Sequence, residues 1–489
     1  MGEFLLVIDE GTTSTRAMLF DAGGRCHGSV QHEITQYYPA PGLVEHDAGE
    51  IWDKSLAAAR ELVEQAGGAD RIAAIGITNQ RETVVAWDRR TGEPLGRAIV
   101  WQDRRTADMC AALKQAGHEP MVQGRSGLLL DPYFSASKMA WMLEHRPELR
   151  AAGDALAFGT VESWLIFRLT GGLHVSDASN ASRSMLMALD GKGWDDALTG
   201  LFGIDTAWLP EIVDNAGHYG ATRQELFGTA IPICGSAGDQ QAATIGQACL
   251  SPGETKATYG TGAFILTQTG AAIPQSTNRL LATVSHQIDG KRHYALEGSV
   301  FVAGSLIKWL RDDIGLLKAA EETEALARSV ADSGGVQIVP ALSGLGAPHW
   351  APEARASISG LSFATGRAHI ARAALEAMAH QSHDLKSAFA GDGQDWTALR
   401  IDGGMVANDW MAQDLADILG IEVSRPHFIE STALGAAMLA ALGAGLHGSL
   451  EEAASAMRGD ADLFVPAMAG DVRDARLAGW RSALARVLG

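Results

Sequence analysis

Residues 7–16 read VIDEGTTSTR and combine an acid, a glycine, four hydroxyl side chains and an arginine. Apolar runs at 4–8 and 17–20 predict two strands joined by a tight turn at Gly11. Glycine at such a bend lets a ligand approach the backbone, and hydroxyl and N–H groups there can donate to phosphate oxygens. Arg16 can neutralise further negative charge, and Asp9 at the strand end suits a hydrated magnesium ion. The stretch predicts a phosphate-binding turn, although a hydroxyl-rich turn that satisfies only its own backbone is the alternative.

A second stretch with a similar order of residue types lies about half a chain later. KATYGTGAFILTQTG (256–270) again has a G-T turn, at Gly260, followed by an apolar run. The repetition indicates two similarly built lobes, each offering a phosphate-binding hairpin to a shared cleft. G-T-G turns are common, so this pattern alone leaves an internal duplication open.

Periodic segments between these turns predict the elements that must position them. Asp47 can cap a helix that continues to about residue 66. Strands are predicted at 72–78, 83–88 and 98–102, and helices near 105–116, 302–312, 369–390, 408–419 and 432–443. Alternating strands and helices are typical of α/β layers.

Composition limits the kind of protein. The chain has 489 residues, enough for two or three domains, and 46% of them are hydrophobic. A formal net charge of −19 disfavours nucleic acid or an anionic membrane as a partner. No apolar stretch reaches the roughly 20 residues of a membrane helix, and we expect no membrane insertion. The four cysteines lack CxxC spacing, so we expect a reduced, cytoplasmic protein.

Further motifs identify a family. The stretches are TNQRETVVAWD, AIVWQDRRTA, GLLLDPYFSASKMAW, GSAGDQQAATIG, YGTGAF and IDGGMVAND. Together with the first turn they resemble the FGGY family of carbohydrate kinases, in its glycerol-phosphorylating branch, from residue 4 to the final helix. The resemblance implies two actin-like or hexokinase-like (ribonuclease H-like) α/β domains, 1–248 and 249–489, with an ATP cleft between them. It also implies ATP-dependent phosphorylation of glycerol to sn-glycerol 3-phosphate with Mg²⁺.

The resemblance also implies roles for single residues. Asp239 corresponds to the catalytic base, and Asp9 and Asp239 correspond to positions that hold magnesium, mostly through water. The positions corresponding to glycerol contacts are Arg81, Glu82, Trp101, Tyr133, Asp239, Gln240 and Phe264. Those corresponding to nucleotide contacts are Thr12, Thr13, Ser14, Arg16, Thr261, Gly304, Lys308, Gly404 and Asn408.

These roles agree with the chemistry of the residue types. Glycerol offers three hydroxyls, so its recognition requires donors, which Arg81 supplies, and acceptors, which Glu82 supplies. Phosphoryl transfer needs an aligned hydroxyl, an acceptor for its proton and stabilisation of the phosphoryl oxygens, and a carboxylate at Asp239 fits the acceptor. The alternative is a surface ion pair at Arg81–Glu82.

Three positions depart from the family pattern. Glu10 stands where many members have glutamine, and we expect a surface position that tolerates the change. Glu162 replaces a usual aspartate. Lys308 stands where some members have an adenine-contacting glutamine; lysine has donors only, which puts nucleotide affinity in doubt. We also considered HQSHD (380–384) as a metal site and favour a solvated helix face instead.

Two other function classes remain open from the sequence. One is a kinase of another polyol or sugar, such as xylulose or gluconate, and the other is an actin-like ATPase. Some bacterial glycerol-phosphorylating members are inhibited by fructose 1,6-bisphosphate, which binds a glycine-rich loop with a lysine and an arginine. The corresponding stretch here, 221–235, keeps only Gly228 of those glycines. We therefore predict no such inhibition, and a homodimer as the assembly.

Overall fold

The computed structural model describes residues 2–191, 193–351 and 353–489. Strands of the first half are β1 (Phe4–Glu10), β2 (Ser14–Asp21), β3 (Cys26–Glu33), β4 (Glu45–His46), β5 (Ile72–Asn79), β6 (Val85–Asp88), β7 (Glu93–Pro94), β8 (Ala98–Ile99), β9 (Leu156–Gly159), β10 (Val175–Asp177), β11 (Glu211–Val213) and β12 (Ile233–Gly238). Its helices are α1 (Ala48–Gln65), α2 (Ala107–Gln115), α3 (Glu119–Ser126), α4 (Ser135–His145), α5 (Pro147–Ala152), α6 (Val161–Thr170), α7 (Ala178–Ala181), α8 (Asp196–Phe202), α9 (Gln224–Phe227) and α10 (Asp239–Gly246).

The second half continues the alternation of strands and helices. Its strands are β13 (Glu254–Tyr259), β14 (Ala263–Gly270), β15 (Leu281–Ile288), β16 (Lys291–Val300), β17 (Gln337–Val339), β18 (Ser357–Ser359), β19 (Ala398–Asp402), β20 (Val423–Pro426) and β21 (Ala461–Phe464). Its helices are α11 (Gly304–Asp312), α12 (Glu322–Arg328), α13 (Arg367–Gly391), α14 (Asp409–Leu419), α15 (Ser431–Gly443), α16 (Leu450–Met457) and α17 (Gly470–Leu488).

The two main sheets share a strand order. In the first sheet the order is β12-β5-β1-β2-β3, with β1 and β2 antiparallel and β1, β5 and β12 parallel. In the second sheet β20-β19-β13-β14-β16 repeats this order, with the hairpin now formed by β13 and β14. The sequence predicts two similarly built lobes, each with a hairpin turn. The shared strand order of the two sheets confirms this prediction.

Most predicted elements are present with bounds that differ by a few residues. Asp47 caps α1 as predicted, because its carboxylate accepts the N–H groups of Gly49 and Glu50. The strands predicted at 83–88 and 98–102 are shorter, β6 and β8. The reason at β6 is a tight turn in which the Thr83 N–H donates to the Arg81 carbonyl, so the chain cannot continue as a strand there.

Helix α15 belongs to the second half of the sequence but packs against the first sheet and against α10. Glycine permits this contact: a Cβ at Gly435 would lie 1.8 Å from the Ala242 carbonyl oxygen on α10, far inside any allowed distance. Strand β12 and helix α10 of the first half are therefore held in place by α15, which comes from the second half. A division at residues 248/249 stays a prediction.

The expected solvated face at HQSHD is wrong. His380 is 2% exposed, and its ring stacks on Trp480 of α17 with centroids 5.4 Å apart. Asp384 accepts the Trp480 indole N–H at 2.8 Å. Helix α17 lies about a hundred residues further along the chain, so local periodicity could not show that it would cover α13.

Burial of His380 gives the protein an expected dependence of stability on pH. Burial, with the charges of Arg476 and His383, lowers the pKa of His380 from 6.5 to about 3, so the folded state holds the ring neutral. The unfolded chain binds the extra proton as the pH falls through its ordinary value, so stability is lost on acidification. Between about pH 7.5 and pH 5, the wild type should lose about 2 kcal/mol more of its unfolding free energy than His380→Phe. Chemical denaturation at both pH values measures this difference, and equal losses would contradict a buried neutral His380.

None of the helices in the described parts of the chain is long and apolar enough to cross a membrane. Cys26, Cys110, Cys234 and Cys249 are all unpaired, and all but Cys26 are buried.

Candidate active site

Arg81 and Glu82 lie in the loop that follows β5, at the carboxyl edge of the first sheet. They are 3% and 1% exposed, so the alternative of a surface ion pair is excluded. Glu82 has φ +61°, a left-handed conformation that a non-glycine residue rarely adopts. Such backbone strain is maintained where the surrounding structure fixes it, and it occurs most often at functional sites.

The buried pair belongs to a cluster of four charged side chains. Glu297 of β16 accepts from Arg81 Nη1 at 2.6 Å with one oxygen and from Arg183 Nη2 at 2.8 Å with the other. Arg183 Nε in turn donates to Glu82 at 2.6 Å. Two arginines therefore balance two carboxylates inside the protein, and the second half of the chain supplies one of the four.

The electrostatics of this cluster favour the charged forms of Glu297 and Arg81, whereas burial raises the pKa of Glu82 despite the nearby arginines. Burial raises the pKa of Glu297, but Arg183 and Arg81 more than offset this effect, and the net pKa is lowered. Burial also opposes the charge on Arg81, yet Glu297 and Glu82 hold its pKa well above the ordinary value of an arginine. A buried charge without a partner strongly destabilises the folded state, so each of these four side chains requires its oppositely charged neighbours.

Asp239 begins α10 directly after β12, two strands from Asp9 at the same edge of the sheet. Its side chain is 34% exposed, and its Oδ1 lies 3.1 Å from Arg81 Nε. The neighbouring Gln240 accepts from Lys256 Nζ at 2.5 Å, and Lys256 is fully buried. The predicted base is thus an accessible carboxylate beside a fixed guanidinium.

Three aromatic rings from separate segments stand together at this site. The ring centroid of Trp101 lies 5.6 Å from that of Tyr133 and 6.3 Å from that of Phe264, which belongs to the second half. The indole N–H of Trp101 donates to Thr12 Oγ1 at 2.9 Å, which joins the rings to the first hairpin turn. Lys138 is buried and donates to the carbonyls of residues 132, 133 and 134, which fixes the loop that carries Tyr133.

The turn between β1 and β2 carries the predicted phosphate contacts. Thr13 is exposed, Thr12 and Ser14 are partly buried, and the Gly11 N–H closes the turn on the Ser14 carbonyl at 3.0 Å. Arg16 lies 3.7 Å from Asp9 and 2.6 Å from Glu430, which precedes α15. The turn therefore offers several hydroxyls and one cation at the edge where Asp239 lies.

The donor set at this edge fits a magnesium ion. The pKa of Asp9 is raised to about 6, because burial and the negative charges of Glu430 and Asp239 together outweigh the lowering effect of Arg16. A divalent cation relieves this repulsion between carboxylates. Among the described residues, no group of three or more His, Cys, Asp or Glu side chains could hold a metal. One or two carboxylates completed by water and phosphate are the usual ligands of Mg²⁺.

A cavity of about 520 Å³ opens beside the second hairpin. The predicted nucleotide residues of the second half all line it: Thr261, Gly304, Lys308, Gly404 and Asn408. The N–H of Gly304 donates to the Gly260 carbonyl at 2.8 Å, and a Cβ at Gly304 would lie 2.6 Å from that oxygen, so glycine is required. The structure brings these five positions together; their contacts with a nucleotide stay a prediction.

Two of the departures from the family pattern lie inside the protein. The expected surface position of Glu10 is wrong: it is 0% exposed and accepts from Ser55 Oγ at 2.8 Å, and burial raises its pKa to about 8. Glu162 is also fully buried, and it accepts from Thr160, Ser176 and Asn79. Because Asn79 ends β5, Glu162 anchors the strand just before the Arg81–Glu82 loop.

Arg183 and Glu297 are functional residues of this cluster that the sequence motifs do not predict. A signal for Glu297 exists, since this acidic residue interrupts the largely apolar stretch YALEGSV. Arg183 lies in NASRSMLM, where no spacing relates it to the loop at 81–82. Their pairing depends on contacts between the two halves, which no local pattern contains.

Comparison with known proteins identifies the class. Residues 4–246 match the N-terminal domain and residues 255–444 the C-terminal domain of the FGGY family of carbohydrate kinases. The chain belongs to this family, as its motifs predict.

Within the family the chain is similar to glycerol kinases. It is 53% identical over 489 residues to the glycerol kinase of Alcanivorax borkumensis, covering 99% of this chain and 98% of that relative. The crystal structure of Plasmodium falciparum glycerol kinase with ADP matches with a TM-score of 0.94 and 36% identity, covering 100% and 99% of the two chains. A xylulose kinase from Rhodospirillum rubrum matches with a TM-score of 0.88 at 25% identity, covering 99% and 98%. The predicted two-lobed kinase fold is confirmed.

Proposed function

We propose that the protein transfers the γ-phosphoryl group of ATP to a terminal hydroxyl of glycerol, giving sn-glycerol 3-phosphate. Its full-length similarity to glycerol kinases, at 53% identity, supports this substrate. The observation that carries the proposal is the meeting of a 34% exposed Asp239 with the buried Arg81–Glu82 pair. Three aromatic rings adjoin the same place, where a small polyol can bind.

Glycerol would be held by polar groups on one side and rings on the other. Arg81 donates to hydroxyl oxygens and Glu82 accepts from hydroxyl hydrogens. Burial raises the pKa of Tyr133 far above its ordinary 10, with Glu82 adding to the effect, so its hydroxyl stays protonated and can donate. Trp101 and Phe264 cover the carbon chain. Because the site binds through hydroxyls, a ligand that lacks one leaves buried groups unpaired and is rejected by roughly 10⁴–10⁵.

Asp239 acts as the general base. Its carboxylate takes the proton of the attacking hydroxyl while Arg81 Nε, at 3.1 Å, fixes its orientation. Thr12, Thr13, Ser14 and Arg16 on one hairpin and Thr261 on the other donate to the phosphate oxygens. Asp9 and Asp239 would hold Mg²⁺ mostly through water, and the bound ion supplies neutralisation of phosphate charge. The adenosine would occupy the cavity that Gly304, Lys308, Gly404 and Asn408 line.

Contacts between the two halves at this site also serve to exclude water, the competing acceptor. Phe264 and Glu297 of the second half contact Trp101 and Arg81 of the first. Closing the halves around glycerol places its hydroxyl, rather than water, beside Asp239.

An assay of ADP release with a panel of acceptors tests the substrate. Glycerol, erythritol, xylulose, gluconate and a sample without acceptor are compared by kcat/KM under the same conditions. We expect glycerol to exceed the others by about 100-fold or more. A higher value for another acceptor would assign a different kinase of the family, and equal release without acceptor would indicate an ATPase.

We also propose a cytoplasmic homodimer. The four unpaired cysteines support a reducing compartment. Static light scattering of the purified protein measures the assembly, and a tetramer or a monomer would contradict the dimer.

Fructose 1,6-bisphosphate is expected not to inhibit the enzyme. The stretch 221–235 contains the short α9 and the start of β12, and in α9 Leu226 is 7% exposed and its carbonyl accepts from Arg60. Arg223 is already paired with Glu225 at 3.1 Å, so little positive charge is available for a bisphosphate. Activity is titrated with the bisphosphate up to millimolar concentration. Saturable inhibition, with a tetramer in light scattering, would overturn this expectation.

A further inference from the structure

We propose that Glu297 and Arg183 are positioning residues that fix the two acceptor-binding side chains, Arg81 and Glu82, in their working orientation. The inference rests on the proposed function of the site and deepens it, because it assigns control of acceptor affinity to two residues that do not themselves bind the acceptor.

The arrangement is a chain of four side chains in which every link is a charge-assisted hydrogen bond. Glu297 uses one oxygen for Arg81 Nη1 at 2.6 Å and the other for Arg183 Nη2 at 2.8 Å. Arg183, held in this way by Glu297, in turn fixes Glu82, because its Nε donates to Glu82 Oε1 at 2.6 Å. A single carboxylate thereby sets the position of both acceptor-binding residues.

The same bonds determine which atoms remain for a ligand. Arg81 uses Nε for Asp239 and Nη1 for Glu297 and Gln241, and Glu82 uses Oε1 for Arg183. Within the described parts of the chain, Arg81 Nη2 and Glu82 Oε2 have no hydrogen bond to protein. One donor group and one acceptor thus stay available side by side, which is the pair that a hydroxyl group requires.

Arg183 also contacts the aromatic part of the site. Its guanidinium carbon lies 5.6 Å from the ring centroid of Tyr133 and 5.2 Å from that of Phe134. The residue is 0% exposed, so it meets the acceptor only through the groups it holds. Its planar fork can join Glu82, Glu297 and the rings at once, which a lysine ammonium cannot do.

Glu297 brings the second half of the chain into the acceptor site. It lies on β16, whereas Arg81, Glu82 and Arg183 all belong to the first half. The acceptor-binding geometry therefore forms only when the second half packs so that Glu297 reaches Arg81 and Arg183 of the first half. This links glycerol affinity to the packing between the halves.

Replacement of Glu297 by glutamine tests the inference. Glutamine keeps the shape and one acceptor, but its NH₂ group faces a guanidinium and the two arginines lose their shared counter-charge. We expect the KM for the acceptor to rise about 10- to 100-fold, the range for losing a hydrogen bond to a charged group. The KM for ATP should stay within about 2-fold of the wild type, since the cavity at Gly304 is untouched. Arg183→Lys should likewise raise the acceptor KM and leave the ATP KM unchanged, and it serves as a second variant if Glu297→Gln does not fold.

Asp414→Asn provides the matched control. Asp414 forms a buried ion pair with Arg476 in the second half, away from the acceptor site, so this variant should lower the melting temperature without changing either KM. A Glu297→Gln protein with wild-type acceptor KM, or with both KM values raised equally, would overturn the inference. The KM is measured for whichever acceptor the wild type uses best. A preference for an acceptor other than glycerol would therefore overturn the proposed function while the effect of Glu297→Gln is still decided.

Discussion

Replacement of Asp239 by asparagine is expected to lower kcat by about 100-fold or more, in the range that general bases contribute, while glycerol binding changes little. Asparagine keeps an oxygen for Arg81 Nε and for the Gln240 N–H, both of which now contact Oδ1. It cannot take the proton of the attacking hydroxyl. Steady-state kinetics gives kcat, and calorimetry with glycerol gives the affinity separately.

Asp53→Asn is the control for this measurement. Asp53 is an exposed aspartate on α1, so the same chemical change there should leave kcat unaltered. Near-normal turnover of Asp239→Asn, with normal binding, would remove Asp239 from the role of base.

Arg81→Lys is the second variant for which we expect a large loss. Arg81 is 3% exposed and contacts Asp239 through Nε and both Glu297 and Gln241 through Nη1, an arrangement that a single ammonium cannot reproduce. Lysine keeps the positive charge but loses hydrogen bonds that the guanidinium donates to charged groups, each of which contributes about 1.5–3 kcal/mol. Loss of two such bonds should lower kcat/KM for glycerol by about 100-fold or more.

The exposed Arg90 offers a matched substitution. Its side chain is 71% exposed and pairs with Asp88 on the surface, where ion pairs contribute little. Arg90→Lys should therefore keep wild-type kinetics and stability. An Arg81→Lys enzyme that behaves like Arg90→Lys would show that the guanidinium fork is dispensable.

Local sequence was sufficient for the parts of the site that lie within one turn or one motif. The hairpin at Gly11, the loop at Arg81–Glu82 and the strand-to-helix junction at Asp239 each occupy a few consecutive residues. Each motif alone also allowed a structural role, such as a hydroxyl-rich turn that satisfies only its own backbone, and it was the whole set in order that indicated the chemistry. The repeat of the hairpin at Gly260 likewise predicted two similarly built lobes, and the two main sheets indeed share a strand order.

Features that depend on segments distant in sequence were missed or misjudged. Glu10 is covered by α1 through Ser55, and His380 is covered by α17 through Trp480, so both are buried where a solvated position was expected. Glu297 and Arg183 meet across the two halves of the chain. Burial of a polar side chain is decided by what packs over it, and periodicity within one element does not contain that information.

The identity of the phosphorylated product tests the central claim most directly. The enzyme is incubated with ATP, Mg²⁺ and uniformly ¹³C-labelled glycerol, and the products are followed by ³¹P and ¹³C NMR. We expect one new phosphate monoester on a terminal carbon of glycerol, formed in equal amount with ADP and absent from the Asp239→Asn reaction. Inorganic phosphate as the main product, phosphate on the central carbon, or no glycerol-dependent ADP would contradict the account.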